Sequence, residues 1–283
     1  MPEGPEVKLS ADLIRPLVLG KLVRKIVVDG TSRYSDTLPE GLNEFHKSFR
    51  DEGIINLVNE CRVTEIDVRG KFMYWKFSNG WCMFSTFGMS GQWSPIAGKH
   101  MCLEIKLIDE KGSDSVYFND PRHFGTVKFV NSERELEKKL QELGWDPLSM
   151  PLDKNLKWIT FQLAKTSKPI AQVLMDQGLF SGVGNYIRAE ALYLSKLSPW
   201  RESKKLSQDE IKTLCQAIVD VMQESYQHQG ATIRTYKTAY GEDGKYSTLF
   251  KVYGQKQDPM GRKIIKQQTP DKRTIHWCPE VQI

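Results

Sequence analysis

Alternating β-branched and aromatic positions dominate roughly the first 130 residues and predict strands at Leu22–Val28, Val63–Val68, Phe72–Phe77, Trp81–Thr86, Met101–Ile108, Val116–Phe118 and Thr126–Val130. Asn79-Gly80 falls between two of them, a two-residue hairpin signal. A short helix precedes the strands, from Glu6 to Leu19, with Pro5 at its start and Gly20 after it. Several short strands joined by tight turns predict a sandwich.

The pattern then changes period. Ser132 and Glu135 have capping-box spacing, Leu136, Leu140 and Leu143 form a helical stripe, and Gly144 is the expected stop. Asp146-Pro147 through Asn155 reads as a linker, and residues 156–229 as helical. Within that stretch, Leu206 and Ser207-x-x-Glu210 open a helix with Ile211, Leu214, Cys215, Ile218, Val219 and Met222 on one face. The last 35 residues read as a hairpin: a strand at Leu249–Tyr253, a turn at Asp258-Pro259-Met260-Gly261, and a return through Thr274–Trp277.

Composition narrows the class. With 40% hydrophobic and 27% charged residues the 283-residue chain is an ordinary globular one. No apolar run approaches the ~18 residues of a membrane span, and MPEGPEVKLS has no secretory character. Five scattered cysteines without a CxxC pair support neither a disulfide framework nor a cysteine-built zinc site, so an intracellular compartment is expected. The +5 charge is localised. Eight basic and three acidic residues lie between Lys245 and Ile283, and the first 244 residues balance. A solvated lysine-rich surface accounts for that tail as readily as an arm directed at a polyanion.

Two stretches carry chemistry. Removal of Met1 leaves Pro2 first, a secondary amine with Glu3 beside it. An α-amine titrates near 7.7–8.0, so roughly a tenth of it is unprotonated at neutral pH, against a few parts in ten thousand for lysine. Attack of a secondary amine on an aldehyde-level carbon gives an iminium, an electron sink for elimination at the next carbon. Glu3 stands close enough to act as acid or base. The same letters also suit the start of a helix. The second stretch, Gln177 through Glu190, ends an apolar helix (Ile170, Val173, Leu174), turns on glycines, and begins another helix at or just after Asn185. Unpaired amides at such a start favour phosphate, although an ordinary tight turn with Asn185 as N-cap has the same spelling.

Taken together, these stretches resemble the formamidopyrimidine-DNA glycosylase/endonuclease VIII family over essentially the whole chain. MPEGPEV is similar to the family's N-terminal signature, and MDQGLFSGVGNYIRAEAL to its helix-two-turn-helix motif. Arg69-Gly70-Lys71-Phe72, Phe87-Gly88-Met89-Ser90-Gly91 and Asp120-Pro121-Arg122-His123-Phe124-Gly125 follow in the family's order. The resemblance implies an α+β fold: an N-terminal β-sandwich (1–145), a linker (146–155), a helix-two-turn-helix domain (156–229), a lesion-capping region (230–248) and a zincless-finger hairpin (249–283), with DNA in the groove between the domains.

By the same resemblance Pro2 is the Schiff-base nucleophile, Glu3 the catalytic carboxylate, and Glu6 a second acid near the lesion. Lys71 is grouped with the catalytic set and binds phosphate, as do Asn185 and Arg273. Met89, Arg122 and Phe124 fill the gap left by a flipped nucleotide, a void whose opening costs a few kcal/mol. Thr86 stands where many relatives place a basic phosphate ligand. Where relatives carry four zinc-binding cysteines, this chain has Met260, Lys263, Cys278 and Val281, and one thiol cannot build a tetrahedral structural site. The chain therefore resembles the zincless-finger subgroup. The implied activity is a bifunctional glycosylase and abasic-site lyase of base excision repair. It would act without cofactor or metal, as a monomer, on double-stranded DNA containing oxidised bases or abasic sites, with no membrane partner. A non-catalytic binder of damaged or abasic DNA is the rival, expected if Pro2 or Glu3 were absent. An RNA-binding helix-two-turn-helix protein leaves MPEGPEV unexplained.

Overall fold

The computed structural model describes residues 2–51, 54, 55, 60–231 and 244–283. Two compact units emerge. The first gathers Pro2 and residues 6–141, and the second residues 3–5, 142–231 and 245–283. Most of the expected lesion-capping region, residues 232–243, lies outside the described residues.

In the first unit helix α1 (Gly4–Val18) presents Val7, Ala11, Ile14 and Val18 to the core, a spacing that keeps one face apolar. Strand β1 (Leu22–Val28) follows, then helix α2 (Leu42–Phe49) and two short strands, β2 (Arg50–Asp51) and β3 (Ile54–Ile55). Next come β4 (Val63–Arg69), β5 (Phe72–Phe77), β6 (Cys82–Thr86), β7 (Gln92–Ser94), β8 (Met101–Asp109), β9 (Gly112–Asn119) and β10 (Thr126–Val130). They form two antiparallel four-stranded sheets, β1-β8-β9-β7 and β10-β6-β5-β4. Trp75 and Trp93, one from each sheet, meet with ring centroids 5.3 Å apart in the buried core, which makes the unit a sandwich. The expected strands are all present, and Asn79-Gly80 does join β5 to β6. Sequence patterning passes over α2 and the three-residue β7.

Helix α3 (Glu133–Gln141) starts from Ser132, whose hydroxyl accepts from the Glu135 amide at 3.3 Å. It ends three residues before Gly144, so that glycine is not its stop. The second unit contains α4 (Leu152–Leu163), α5 (Ile170–Val173), α6 (Asn185–Leu194) and α7 (Gln208–Gln227). The expected linker is a packed turn instead. Asp146 accepts from the Leu148 amide and the Ser149 hydroxyl, Trp145 is buried, and α4 has already begun at Leu152. Residues 156–229 are helical as expected, in four α-helices and one 3-10 turn (Ser203–Lys205), with the glycine turn falling between α5 and α6. The capping box of α7 is complete on both sides, and Ile211, Leu214, Cys215, Ile218 and Met222 are buried.

The tail departs furthest from expectation. Leu249–Tyr253 is not a strand, because the buried Glu190 carboxylate accepts the amides of Lys251, Val252 and Tyr253 at 2.9, 3.0 and 2.7 Å. Those donors are no longer free for a sheet ladder. Asp258 does organise a turn, accepting from the amides of Met260 and Arg262, the Arg262 guanidinium and the Tyr193 hydroxyl, but this turn closes only a bridge between Gln257 and Lys263. The hairpin itself pairs β11 (Ile265–Gln268) with β12 (Thr274–Trp277) and turns at residues 269–273.

His276 on β12 is buried opposite Lys266, with Tyr253 packed edge-on at 5.0 Å. Burial, and then the Lys266 and Arg188 charges, hold its pKa below the ordinary 6.5. The unfolded chain therefore binds the proton first. The stability His276 contributes is present above about pH 6.5 and is lost as the pH falls through it. Melting temperature should drop between about pH 7.5 and pH 5.5, and His276→Phe should flatten that slope; parallel slopes in the two proteins would contradict the assignment.

Candidate active site

Six of the side chains singled out by sequence fall into two clusters, Met89, Arg122 and Phe124 in the first unit and Glu3, Asn185 and Arg273 in the second. Glu3 belongs to the second. Its carboxylate accepts the amides of Tyr186 at 3.0 Å and Ile187 at 3.3 Å, in the first turn of α6. Helix starts carry unpaired amides and partial positive charge, a favourable seat for a carboxylate. The Gly4 amide donates to the Gly182 carbonyl at 2.9 Å, so the N-terminal segment is clamped by main-chain and side-chain bonds together. A β-carbon on Gly184 would overlap the Glu3 carboxylate, and only glycine leaves that seat open. Glu3 is 2% exposed, and Pro2 before it is buried.

Asn185 is the first residue of α6, with Gly184 as N-cap. Its amide nitrogen donates to the Thr274 carbonyl at 3.0 Å, and its oxygen accepts from Arg188 at 2.5 Å. Arg188, fully buried, reaches the Ala171 carbonyl at 3.1 Å and Asp271 at 3.4 Å, and Asp271 lies 3.9 Å from the half-exposed Arg273. Glu3, Asn185 and Arg273 are thus tied into one network around the start of α6. Arg188 is the member that sequence reasoning passed over; a lone arginine in an apolar helical run was its only signal.

In the first unit Met89, Arg122 and Phe124 stand on two adjacent loops. Asp120, fully buried, holds both: one carboxylate oxygen accepts the Ser90 hydroxyl at 2.7 Å and the Arg122 amide at 3.3 Å, the other the Gly125 amide at 2.7 Å. Gly88, at φ 57°, approaches so closely that a β-carbon would lie 2.5 Å from the Phe124 carbonyl carbon. Met89 is 38% and Phe124 55% exposed, and the Arg122 guanidinium lies 5.3 Å from the Phe124 ring centre. Arg33 donates to the carbonyls of His123 and Gly125, bracing the second loop. Asp120 and Gly88 lie within the motifs read from the sequence but have no role assigned there, and Arg33 lies outside them. Lys71 opens the approach to β5 and is half-buried, Glu6 is buried in the first turn of α1, and the Thr86 hydroxyl is shared with Thr126 at 2.7 Å.

The four finger positions do not fit zinc. Met260 is 77% exposed, Lys263 offers an ammonium and Val281 an alkyl group, and the single thiol of Cys278 is buried. Among the described residues no cluster of three or more His, Cys, Asp or Glu side chains suits a metal ion. Glu190 and Asp258, through seven hydrogen bonds between them, fix the segments that flank the hairpin.

The sandwich of the first unit and the helical second unit are the two domains of the helix-two-turn-helix class of DNA glycosylases. Residues 1–127 match the formamidopyrimidine-DNA glycosylase N-terminal domain and residues 143–237 that family's H2TH domain. Formamidopyrimidine-DNA glycosylase of Lactiplantibacillus plantarum is 32% identical over 99% of this chain and 98% of its own, and that of Thermus thermophilus 31% over 100% and 98%. The crystal structure of MutM (Fpg) from Thermus thermophilus superposes with a TM-score of 0.79 at 29% identity, covering 99% of this chain and 98% of that one. A complex of Lactococcus lactis Fpg with abasic-site DNA gives 0.80 at 26% identity, covering 99% of both chains. The chain belongs to the formamidopyrimidine-DNA glycosylase family and is a DNA glycosylase of base excision repair. Among the described residues no helix is long and apolar enough to cross a membrane.

The seat of Glu3 generates a direct test. Gly184→Ala should displace the carboxylate and lower base excision by ~10²-fold or more, with the far-ultraviolet circular dichroism of the parent. Excision within a few-fold of the parent would show that Glu3 needs no such seat.

Proposed function

We propose that the chain excises oxidised bases from double-stranded DNA and then cleaves the abasic site through a Schiff base on Pro2. With Met1 removed, the Pro2 nitrogen attacks C1′, and the base leaves with the glycosidic electron pair. The Glu3 carboxylate takes the proton that the Pro2 nitrogen sheds and passes it to the sugar ring oxygen, which opens the ring and leaves an iminium on proline. Loss of a proton from C2′ then expels the 3′-phosphate, and a second elimination expels the 5′-phosphate; hydrolysis of the iminium frees the amine. One observation carries this reading: the Glu3 carboxylate, next in the chain to Pro2, is fixed by two main-chain amides of α6.

In this reading Glu6 faces the lesion, while Lys71, Asn185 and Arg273 bind phosphates and set register. Arg188 and Asp271 act as positioning residues for Asn185 and Arg273. Met89, Arg122 and Phe124 occupy the space of the extruded nucleotide. Their shared exposed edge supports that role, since an apolar wedge and a planar guanidinium offset lost stacking. The hairpin works without metal, as a zincless finger. The complexes of Lactococcus lactis Fpg with DNA containing an abasic site or Fapy-dG support the choice of substrate class.

Borohydride should trap a covalent adduct between the processed protein and abasic duplex. Protein that retains Met1 or an N-terminal tag should give none. Equal trapping with a blocked N-terminus would assign the amine to a lysine and overturn the mechanism.

A further inference from the structure

Helix α4 turns its apolar side inward, with Ile159 and Leu163 fully buried. Its outer face is unusual. Lys154, Trp158, Phe161 and Lys165 recur at intervals of four, three and four residues and so lie along one stripe, with Lys157 beside it. Trp158 is 40% and Phe161 61% exposed, and the Lys165 ammonium sits 3.8 Å from the Phe161 ring centre. Between Leu152 and Lys168 there are four lysines and one acidic residue, Asp153.

At Trp158 the stripe borders a cleft of about 700 Å³, within the roughly 300–1,000 Å³ of ordinary ligand sites. Trp158, Lys168, Gly178 and Arg273 contribute to its walls. Asp176 and Asp271 also line it, but their carboxylates bond within the chain, to the Gly178 amide and to Arg188. Two aromatic faces one helical turn apart, flanked by ammonium groups, match the chemistry of an unpaired strand. Bases stack on the rings while the cations follow the phosphates. A duplex keeps its bases stacked internally and would use the lysines alone. A second copy of this basic face would repel the first.

We propose that the outer face of α4 and the adjoining cleft bind unpaired DNA, a site beyond the one that handles the damaged nucleotide and continuous with its phosphate contacts at Arg273. The site gives the protein purchase on a single-stranded stretch such as an overhang or a gap.

Fluorescence anisotropy with a labelled oligothymidylate tests this on the full chain. The parent should bind in a salt-sensitive manner, and Trp158→Ala and Phe161→Ala should each weaken binding by roughly tenfold. Both substitutions are at exposed positions. Melting temperature and cleavage of a blunt abasic duplex should stay at parental values, so a failed catalytic mechanism and a failed strand site give different results. Three outcomes would overturn the proposal. The first is a parent that does not bind oligothymidylate. In the second, both aromatic variants keep full affinity while Lys154→Glu/Lys157→Glu loses it, which would reveal a charge-only surface. In the third, Trp158→Ala abolishes a concentration-dependent dimer without changing oligothymidylate affinity, which would make the face a self-association surface.

Discussion

The grip of α6 on Glu3 is the constraint around which the second unit is built. Two amides that a helix start leaves unpaired are satisfied by a side chain from the other end of the sequence, more than 180 residues away. The bond requires Gly184 to have no side chain. It also requires the N-terminal segment to be pinned, which the Gly4 amide achieves on the Gly182 carbonyl. The MPEGPEV and GVGN signatures are therefore two halves of one contact. In the proposed mechanism that contact sets the acid next to the amine, because Pro2 and Glu3 share a peptide bond.

Elsewhere the same device recurs. Asp120 binds two loops of the first unit, Glu190 takes three consecutive amides, and Asp258 closes a turn. Hydrogen bonds to a charged group contribute about 1.5–3 kcal/mol each, and deleting the acceptor strands buried donors at a similar cost. Glu190 shows how strongly its environment opposes charge. Burial pushes its carboxyl above the ordinary range, and the three amides pull in the other direction. Irregular backbone is thus fixed from beneath by buried carboxylates. In the proposed zincless finger, Asp258 and Glu190 hold the tail through hydrogen bonds that need no thiol.

Periodicity in the sequence is sufficient for the longer sandwich strands, though not for the three-residue strand from Gln92 to Ser94, because successive positions face opposite sides of the sheet, as in the strand from Met101 to Asp109. It is sufficient for α7 too, where capping and stripe agree. It is insufficient in the tail. Leu249–Tyr253 has strand-like letters, but its amides belong to Glu190, a residue some 60 positions earlier that no local pattern connects to it. The 258–261 turn was legible; that it closes only a bridge was not, since the longer pairing of residues 265–268 with 274–277 carries mostly polar side chains. At the site, motif spelling pointed to Glu3, Asn185, Met89, Arg122 and Phe124, whereas Asp120, Arg188 and Gly88, which hold those side chains in place, act through long-range geometry.

The central claim is that Glu3 delivers the proton that opens the sugar ring as Pro2 displaces the base. Glu3→Gln keeps the shape and removes the acid, and its single carbonyl oxygen still accepts one of the two main-chain amides. Excision of an oxidised base and strand cleavage at a pre-formed abasic site should be timed side by side in single-turnover reactions. Excision should fall by ~10²–10⁴-fold, while cleavage of the abasic site, whose aldehyde needs no base displaced, should be affected far less. Equal loss in both reactions would contradict the account and move the carboxylate to a step the two share.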